Sequence, residues 1–264
     1  MTGVLSLGLA GSVDHALLRA LGPRLEAVGF RALWLNDTPT GDALAALAVV
    51  AEVTSTLTLA TGVLPFDRRP AHEIVASIER HGLPVDRLVL GVGSGGGSRV
   101  GTVARGIAQL QGALDATIVL GALGPQMRSL GARMAEGLLL SWLSPEAATT
   151  AVADSRQAAE EVGRTYPWTM LYARTAVDQD AREHLEEETA RYAGYPSYAA
   201  NFARLGLAPA DTTIGPDDVG ASVDSYLDVV DELVLRAISR TGTLDEILRF
   251  VEHPELAERL QTSG

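Results

Sequence analysis

Short, nearly unbroken apolar runs alternate along this chain with longer segments in which apolar residues recur every three or four positions. The runs are Val4–Leu9, Ala32–Asn36, Leu57–Thr61, Arg87–Gly91, Thr117–Leu120, Gly137–Leu140, Met170–Ala176 and Glu232–Arg236. They lack the clean two-residue alternation of a half-solvated sheet, as expected of parallel strands covered on both faces. The segments between them have helical periodicity: Asp14–Val28, Asp42–Val53, Pro70–Arg80, Val103–Leu114, Gln126–Ala135, Pro145–Gly163, Asp180–Arg191 and Leu244–Val251. Start and stop signals agree with that period. Asp14 and Asp42 can accept from free amides at helix starts, Ser144-Pro145-Glu146 places proline one residue in, and Gly29 can end the first helix in a left-handed turn.

Eight strand–helix pairs in 264 residues predict a single α/β domain over 1–264, a closed (β/α)8 TIM barrel; an open doubly wound sheet is the rival. The longest gap between strands, from Met170 to Glu232, holds Tyr192, Tyr195, Tyr198 and Phe202 at nearly helical spacing. These rings either pack an extra helical layer or form a lid or a subunit contact.

Composition narrows the chemistry. The formal charge is −12, from 33 acidic and 21 basic residues, which argues against a nucleic-acid partner while leaving room for a local anion site. Every basic residue is Arg, so Schiff-base and P-loop lysine chemistry are excluded; a GC-rich coding sequence accounts for that bias. There is no Cys, hence no disulfide, thiolate or zinc–sulfur site. No apolar run reaches the ~20 residues that cross a bilayer, and no leader pattern opens the chain, so the expectation is a cytoplasmic protein without a membrane partner.

In a barrel of this kind the chemistry sits where strands end. Those ends read Asn36-Asp37-Thr38 after the second strand, Gly62-Val63-Leu64-Pro65 with Arg68 and Arg69 after the third, and Gly91 to Arg99 after the fourth. Gly121-Ala122-Leu123-Gly124-Pro125 follows the fifth and Ser141-Trp142-Leu143-Ser144 the sixth. Arg174 lies within the seventh strand and Arg236 at the end of the eighth. The fifth end is the most informative. Pro125 sits where a helix begins, so the amides of Gln126 and Met127 would point out of its start as a socket for a phosphate.

Gly91-x-Gly93-x-x-Gly96 fits the dinucleotide fingerprint only in part, because Asp115 precedes the next strand instead of ending it. A turn at Gly93-Ser94-Gly95 that lets backbone approach a flat ring or an anion fits better than an NAD-binding Rossmann site. Asp37 is a candidate proton carrier or a cap. Arg68 and Arg69 are candidates for an anionic tail or a solvated loop. No pair of His has metal-ligand spacing, and there is no Gly-x-Ser-x-Gly elbow.

With these pieces in place, the sequence resembles the bacterial luciferase-like family of flavin- and deazaflavin-dependent oxidoreductases. The resemblance is carried in order by Leu25-Glu-Ala-Val-Gly-Phe-Arg-Ala-Leu-Trp-Leu-Asn-Asp37, Leu57-Thr-Leu-Ala-Thr-Gly-Val-Leu-Pro65, Arg87-Leu-Val-Leu-Gly-Val-Gly-Ser-Gly95, Leu120-Gly-Ala-Leu-Gly-Pro-Gln-Met127, Trp142-Leu-Ser-Pro-Glu146 and Asp231-Glu-Leu-Val-Leu-Arg236. It implies a barrel that binds FMN or coenzyme F420 at the strand carboxyl ends, a small-molecule substrate, and a homodimer. It places the phosphate on Gly124, Pro125, Gln126 and Met127, next to Gly121, Ala122 and Leu123. The ring would lie against Thr61, Gly62 and Val63, with a non-proline cis peptide there, and Asp37 would approach the ring or the substrate. Arg68 and Trp142 would line the mouth.

Two departures stand out. Thr38 replaces the His that often follows Asp in the family, and Gly96 stands where sugar-phosphate dehydrogenases of the family carry Glu. The segment from Ser98 to Thr117 is short, so the loop that usually covers the cofactor in the family is cut down, and shortened loops are expected at the strand carboxyl ends. A catalytically reduced member, binding a flavin or nothing and serving as an interaction partner, is therefore the alternative to an active oxidoreductase.

Overall fold

A computed structural model describes residues 3–96 and 99–262. Its strands are β1 (Val4–Ala10), β2 (Ala32–Asn36), β3 (Thr58–Thr61), β4 (Leu64–Pro65), β5 (Leu88–Gly93), β6 (Thr117–Gly121), β7 (Gly137–Ser141), β8 (Trp168–Thr175), β9 (Thr213–Ile214) and β10 (Glu232–Ala237). All eight long strands pair in parallel in the order β10-β1-β2-β3-β5-β6-β7-β8, and β10 also pairs with β8, which closes the barrel. The two-residue β4 and β9 extend the wall beside β5 and β8 at its carboxyl end. The open-sheet alternative, and with it the Rossmann reading of the glycine-rich turn, is excluded by that closure.

The apolar runs divide by period two, as the pleat requires. Leu33, Leu35, Leu59, Ile118, Leu120, Leu138, Leu140, Leu171 and Leu233 face the helices in the main core. Trp34, Ala60, Val119, Leu139, Met170, Tyr172 and Val234 face inward and fill the lumen as a separate cluster. The lumen is thus packed, with room for chemistry only at its rim.

Helices follow each strand: α1 (His15–Val28), α2 (Ala43–Ala51), α3 (Ala71–His81), α4 (Val100–Ala113), α5 (Pro125–Met134), α6 (Pro145–Glu160), α7 (Arg182–Ala193), α8 (Pro196–Leu205), α9 (Val219–Leu227), α10 (Leu244–Val251) and α11 (Pro254–Thr262). The caps behave as their residue types dictate. Asp14 accepts from Ala16 and Leu17, Asp42 from Leu44 and Ala45, Ser144 from Ala147, and Gly29 takes φ 95°. No helix among the described residues is long and apolar enough to cross a membrane.

The sequence pattern misplaces one ring helix. The seventh helix was expected at Asp180–Arg191, but α9 packs against β10, β9 and α6 in that place, while α7 and α8 form an inserted pair. The nine residues of α9 bury only Val219, Gly220, Val223 and Tyr226, too weak a stripe to stand out before the fold is known.

The inserted pair adds a helical layer at the carboxyl-end rim, with Tyr192, Tyr198 and Phe202 packed on Trp142, the first of the two roles weighed for its aromatic residues. Its anchor is Trp142, which is buried and carries a left-handed φ of 56°, a conformation that costs a bulky residue energy unless its surroundings fix it. Those surroundings are the Arg174 guanidinium 4.0 Å above the ring, Tyr192 at 4.9 Å, Phe202 at 5.7 Å and Tyr198 at 6.4 Å. Arg174 is buried, also stacks on Tyr192 at 4.7 Å, donates to Ser141 Oγ at 2.6 Å and lies 3.6 Å from Glu188. Replacing Arg174 by Leu removes the cation shared by these rings, at a cost of about 1–3 kcal/mol. Hydrogen exchange over residues 182–205 is expected to accelerate selectively; unchanged exchange there contradicts the anchoring.

At the opposite, amino-terminal end of the lumen, Glu232 accepts from Trp34 Nε1 at 2.7 Å and Trp168 Nε1 at 3.3 Å. Burial pushes its carboxyl above the ordinary range. The native state therefore keeps a proton that the unfolded chain has released, so stability falls as pH rises from the ordinary carboxylate range toward the raised value. Below that range both states are protonated and the contribution is flat. Urea unfolding from about pH 4 to about pH 8 is expected to show the wild type losing ground to E232Q as pH rises; a constant difference refutes a buried, protonation-sensitive Glu232.

Candidate active site

Parallel closure puts every strand-to-helix turn at one rim, so the turns singled out in the sequence meet there. The Gly62–Val63 peptide is cis, where the resemblance implied one. Asn36 Nδ2 donates to the Gly62 carbonyl, and the Tyr172 hydroxyl donates to Asn36 Oδ1 at 2.5 Å. Burial pushes the Tyr172 phenol far above its ordinary value, so it acts as a neutral donor. The Val63 side chain lies between Gly93 and Gly121; a Cβ on either would stand 2.7 Å from a Val63 methyl. Small residues are needed on both neighbours for this half-buried apolar bed to exist. The Thr61 hydroxyl is buried and donates to Gly91 O at 3.0 Å, which leaves only its backbone near the rim.

Ser94 and Gly95 continue the glycine-rich turn. Gly95 has φ 65°, and the Gly96 amide donates to Asp67 Oδ2 at 2.8 Å, which fixes the turn against the loop after β4. Gly97 and Ser98 lie outside the described residues.

The start of α5 collects donors without acceptors. Gly124 caps it with no side chain, and Pro125 is the first helical residue. The first internal bond runs from Arg128 N to Gly124 O at 3.1 Å, which leaves the Gln126 and Met127 amides facing outward among the described residues. Pro125 and Gln126 are exposed, and Leu123 and Gly124 half-buried, while Ala122 is buried and bonds Leu139 O at 3.0 Å.

Arg128, which sequence reasoning passed over, lies behind this turn, only 4% exposed. Its Nη1 donates to Leu123 O at 3.1 Å and its Nε has no partner. Burial, and then the neighbouring Arg204, lower its affinity for its proton. Arg204 is held at 2.6 Å by Asn201 Oδ1, and Asn201 Nδ2 is itself buried without an acceptor. A helix start, two guanidiniums and a spare amide, set against the single nearby carboxylate of Asp154, therefore make a positive spot in an acidic protein.

Asp37 reaches the same rim and is engaged as in the cap reading, with the first amide of α2 on its carboxylate, and not free as a proton carrier. Its side chain is 2% exposed and lies 3.3 Å from Arg68 Nη2 and 3.0 Å from Arg69 Nη2; Oδ1 also accepts from Ala43 N at 3.3 Å. Arg69 bridges on to Asp42 at 3.1 Å. With two guanidiniums and an amide on its oxygens, Asp37 is a clamp that holds the β2 turn against the loop before α3. Arg68, half-exposed, lines a cavity of about 390 Å³ beside Thr38, Pro39 and Thr40. Trp142, expected to line the mouth, is instead buried beneath α7 and α8 among Arg174, Tyr192, Tyr198 and Phe202.

A second cavity of about 400 Å³ lies between α7 and the ends of β1 and β10, with Arg236 in its wall. Its only signal in the sequence was an arginine closing an apolar strand. No group of three or more His, Asp or Glu among the described residues could hold a metal ion.

Comparison with known proteins bears on the fold and the family. An F420-dependent secondary alcohol dehydrogenase, solved with an F420–acetone adduct, superposes with a TM-score of 0.75 at 12% identity over 97% of this chain and 99% of that one. The monooxygenase RslO1 from Streptomyces bottropensis gives 0.75 at 17% identity over 98% and 99%. The FMN-bound oxygenating constituent of 3,6-diketocamphane monooxygenase from Pseudomonas putida gives 0.68 at 13% identity over 95% and 96%. At such identities these likenesses speak for the fold. No curated protein sequence matches significantly. The model of luciferase-like monooxygenases matches residues 7–115 and 103–257, segments that overlap at α4 and together span the barrel, and the chain belongs to that family.

Proposed function

We infer that the protein is an oxidoreductase that binds coenzyme F420 or FMN at the barrel mouth and acts on a small-molecule substrate, as a homodimer. The supporting observation is the set of unpaired donors at the start of α5: the outward amides of Gln126 and Met127, backed by the buried Arg128 guanidinium. A phosphate satisfies such donors, and Gly124, around which a Cβ would meet nothing within 4 Å, leaves the approach open. When bound, either cofactor supplies the redox step, hydride transfer in both cases and oxygen activation with FMN.

The chain supplies the positioning. Val63, between Gly93 and Gly121, offers a flat apolar bed, and Asn36 with Tyr172 fixes the Gly62 carbonyl beside it. The glycine-rich turn at Ser94 and Gly95 borders that bed. The helical layer of α7 and α8 keeps water from one side of the mouth. Asp37 contributes by holding Arg68 and Arg69 at the rim.

The engaged state of Asp37, together with Thr38 and Gly96 in place of the family's His and Glu, favours a second reading: a cofactor-binding member with little turnover. One experiment separates them. Anaerobic titration with FMN and with F420, read by fluorescence, is expected to show binding of one or both. Q126E, which sets a carboxylate at the helix start, is expected to weaken it at least about tenfold, with Q126A nearly unaffected. Failure of both cofactors to bind, or indifference to Q126E, refutes the site. Binding without hydride transfer to any of a panel of alcohols, aldehydes and acids supports the second reading over the first.

A further inference from the structure

The cavity between α7 and the barrel rim is amphipathic in a way that specifies an occupant. Its floor is Leu9 at the end of β1, Val13 and Leu17 leading into α1, and Ile238 and Ile247 beyond β10. Its polar wall comes from β10 and α7. On α7, His184, Glu187, Glu188 and Arg191 recur at helical spacing and line the space together. Glu188 is already engaged by Arg191 at 3.4 Å and by Arg174 at 3.6 Å, and Glu187 is exposed at the edge.

Arg236 is different. It is half-buried, lines the cavity, and donates to the carbonyl of its neighbour Ala237; among the described residues no carboxylate pairs with it. Most of the donors on a guanidinium fork are thus free in a partly desolvated space. His184 adds a ring whose Nδ1 is buried and has no partner. Two guanidiniums, of Arg191 and Arg236, and two carboxylates line the cavity; Arg191, and Arg174 from outside it, engage Glu188, which leaves Arg236 as the lining guanidinium without a carboxylate partner among the described residues and open to a negative charge.

The geometry points to a binding pocket for the substrate, and to a substrate that is a small carboxylic acid with an apolar body. The carboxylate sits on the Arg236 fork and the body on Leu9, Val13, Leu17, Ile238 and Ile247. At about 30 Å³ per water-sized group, about 400 Å³ holds about a dozen non-hydrogen atoms. The Arg236 end of the pocket connects to the proposed ring bed through a relay of neighbouring strand ends. Arg236 is in register with Gly8 on one side and Arg174 on the other, and a Cβ on Gly8 would touch the Tyr172 ring, whose hydroxyl reaches Gly62 through Asn36. That the occupant is a substrate rests on the cofactor reading above; that the pocket takes a carboxylate does not.

The test uses octanoate, octanol and octylamine as probes, followed by calorimetry, with FMN and F420 binding measured in parallel. Octanoate is expected to bind at least about tenfold more tightly than octanol or octylamine, and R236Q to erase that preference while leaving cofactor binding unchanged. Val13→Trp, which fills the floor without touching Arg236, is expected to abolish octanoate binding, and it keeps the test decisive if R236Q does not fold. Equal binding of octanoate and octanol, indifference to both variants, or loss of cofactor binding along with octanoate in R236Q overturns the proposal. Arg236-dependent octanoate binding in a protein that binds neither cofactor supports the pocket and refutes the oxidoreductase reading instead.

Discussion

β10 pairs with β1 on one edge and β8 on the other, and everything at the functional end follows from that closure. Because all eight strands are parallel, every turn that leaves a strand emerges at the same rim. Residues remote in sequence, such as Asn36, Gly62, Gly121 and Tyr172, thereby become neighbours. Closure also separates two apolar environments. Leucines on one side of each strand join the helices, while Trp34, Met170, Tyr172 and their neighbours seal the lumen. A sealed lumen leaves the rim as the place where backbone and polar groups lack partners.

The rim is electrostatically divided. Near β2 and β3, acidic and basic groups satisfy each other, as Asp37 does with Arg68 and Arg69. At the start of α5 and at the end of β10 they do not. Arg128 and Arg236 each carry donors without acceptors, in a protein of net charge −12. Excess negative charge elsewhere does not neutralise them, since exposed charges farther off than a Debye length of about 8 Å are screened. Two separate positive spots on one rim suit a phosphate-bearing cofactor on one side and an anionic substrate on the other.

Much of the fold was legible in the sequence because strands buried on both faces read as apolar runs. Each of the eight runs is a barrel strand, and Gly121 to Met127 is the turn into a helix that its Pro and Gly announce. Period alone cannot say which face of such a run looks into the lumen, since both are apolar; Trp34 and Leu35 look alike until the barrel closes. The helical layer of α7 and α8 was half legible, as an aromatic spacing with no stated target, because Trp142 lies about 50 residues earlier in the chain. The short α9 was hidden by its weak stripe. At the rim, backbone features such as the cis peptide at Gly62 and the Gly124 cap of α5 could be read directly. Those whose role depends on a partner could not. Asp37 reads as a proton carrier or a cap, and only the fold brings Arg68, Arg69 and the Ala43 amide onto it; Arg128 gives no signal in the sequence because its burial comes from tertiary packing.

The most direct test is a crystal structure of the protein with whichever cofactor binds it. The account predicts phosphate oxygens within about 2.7–3.2 Å of the Gln126 and Met127 amide nitrogens, with the heterocycle against Val63. A phosphate anchored elsewhere, with those amides turned to water, contradicts it.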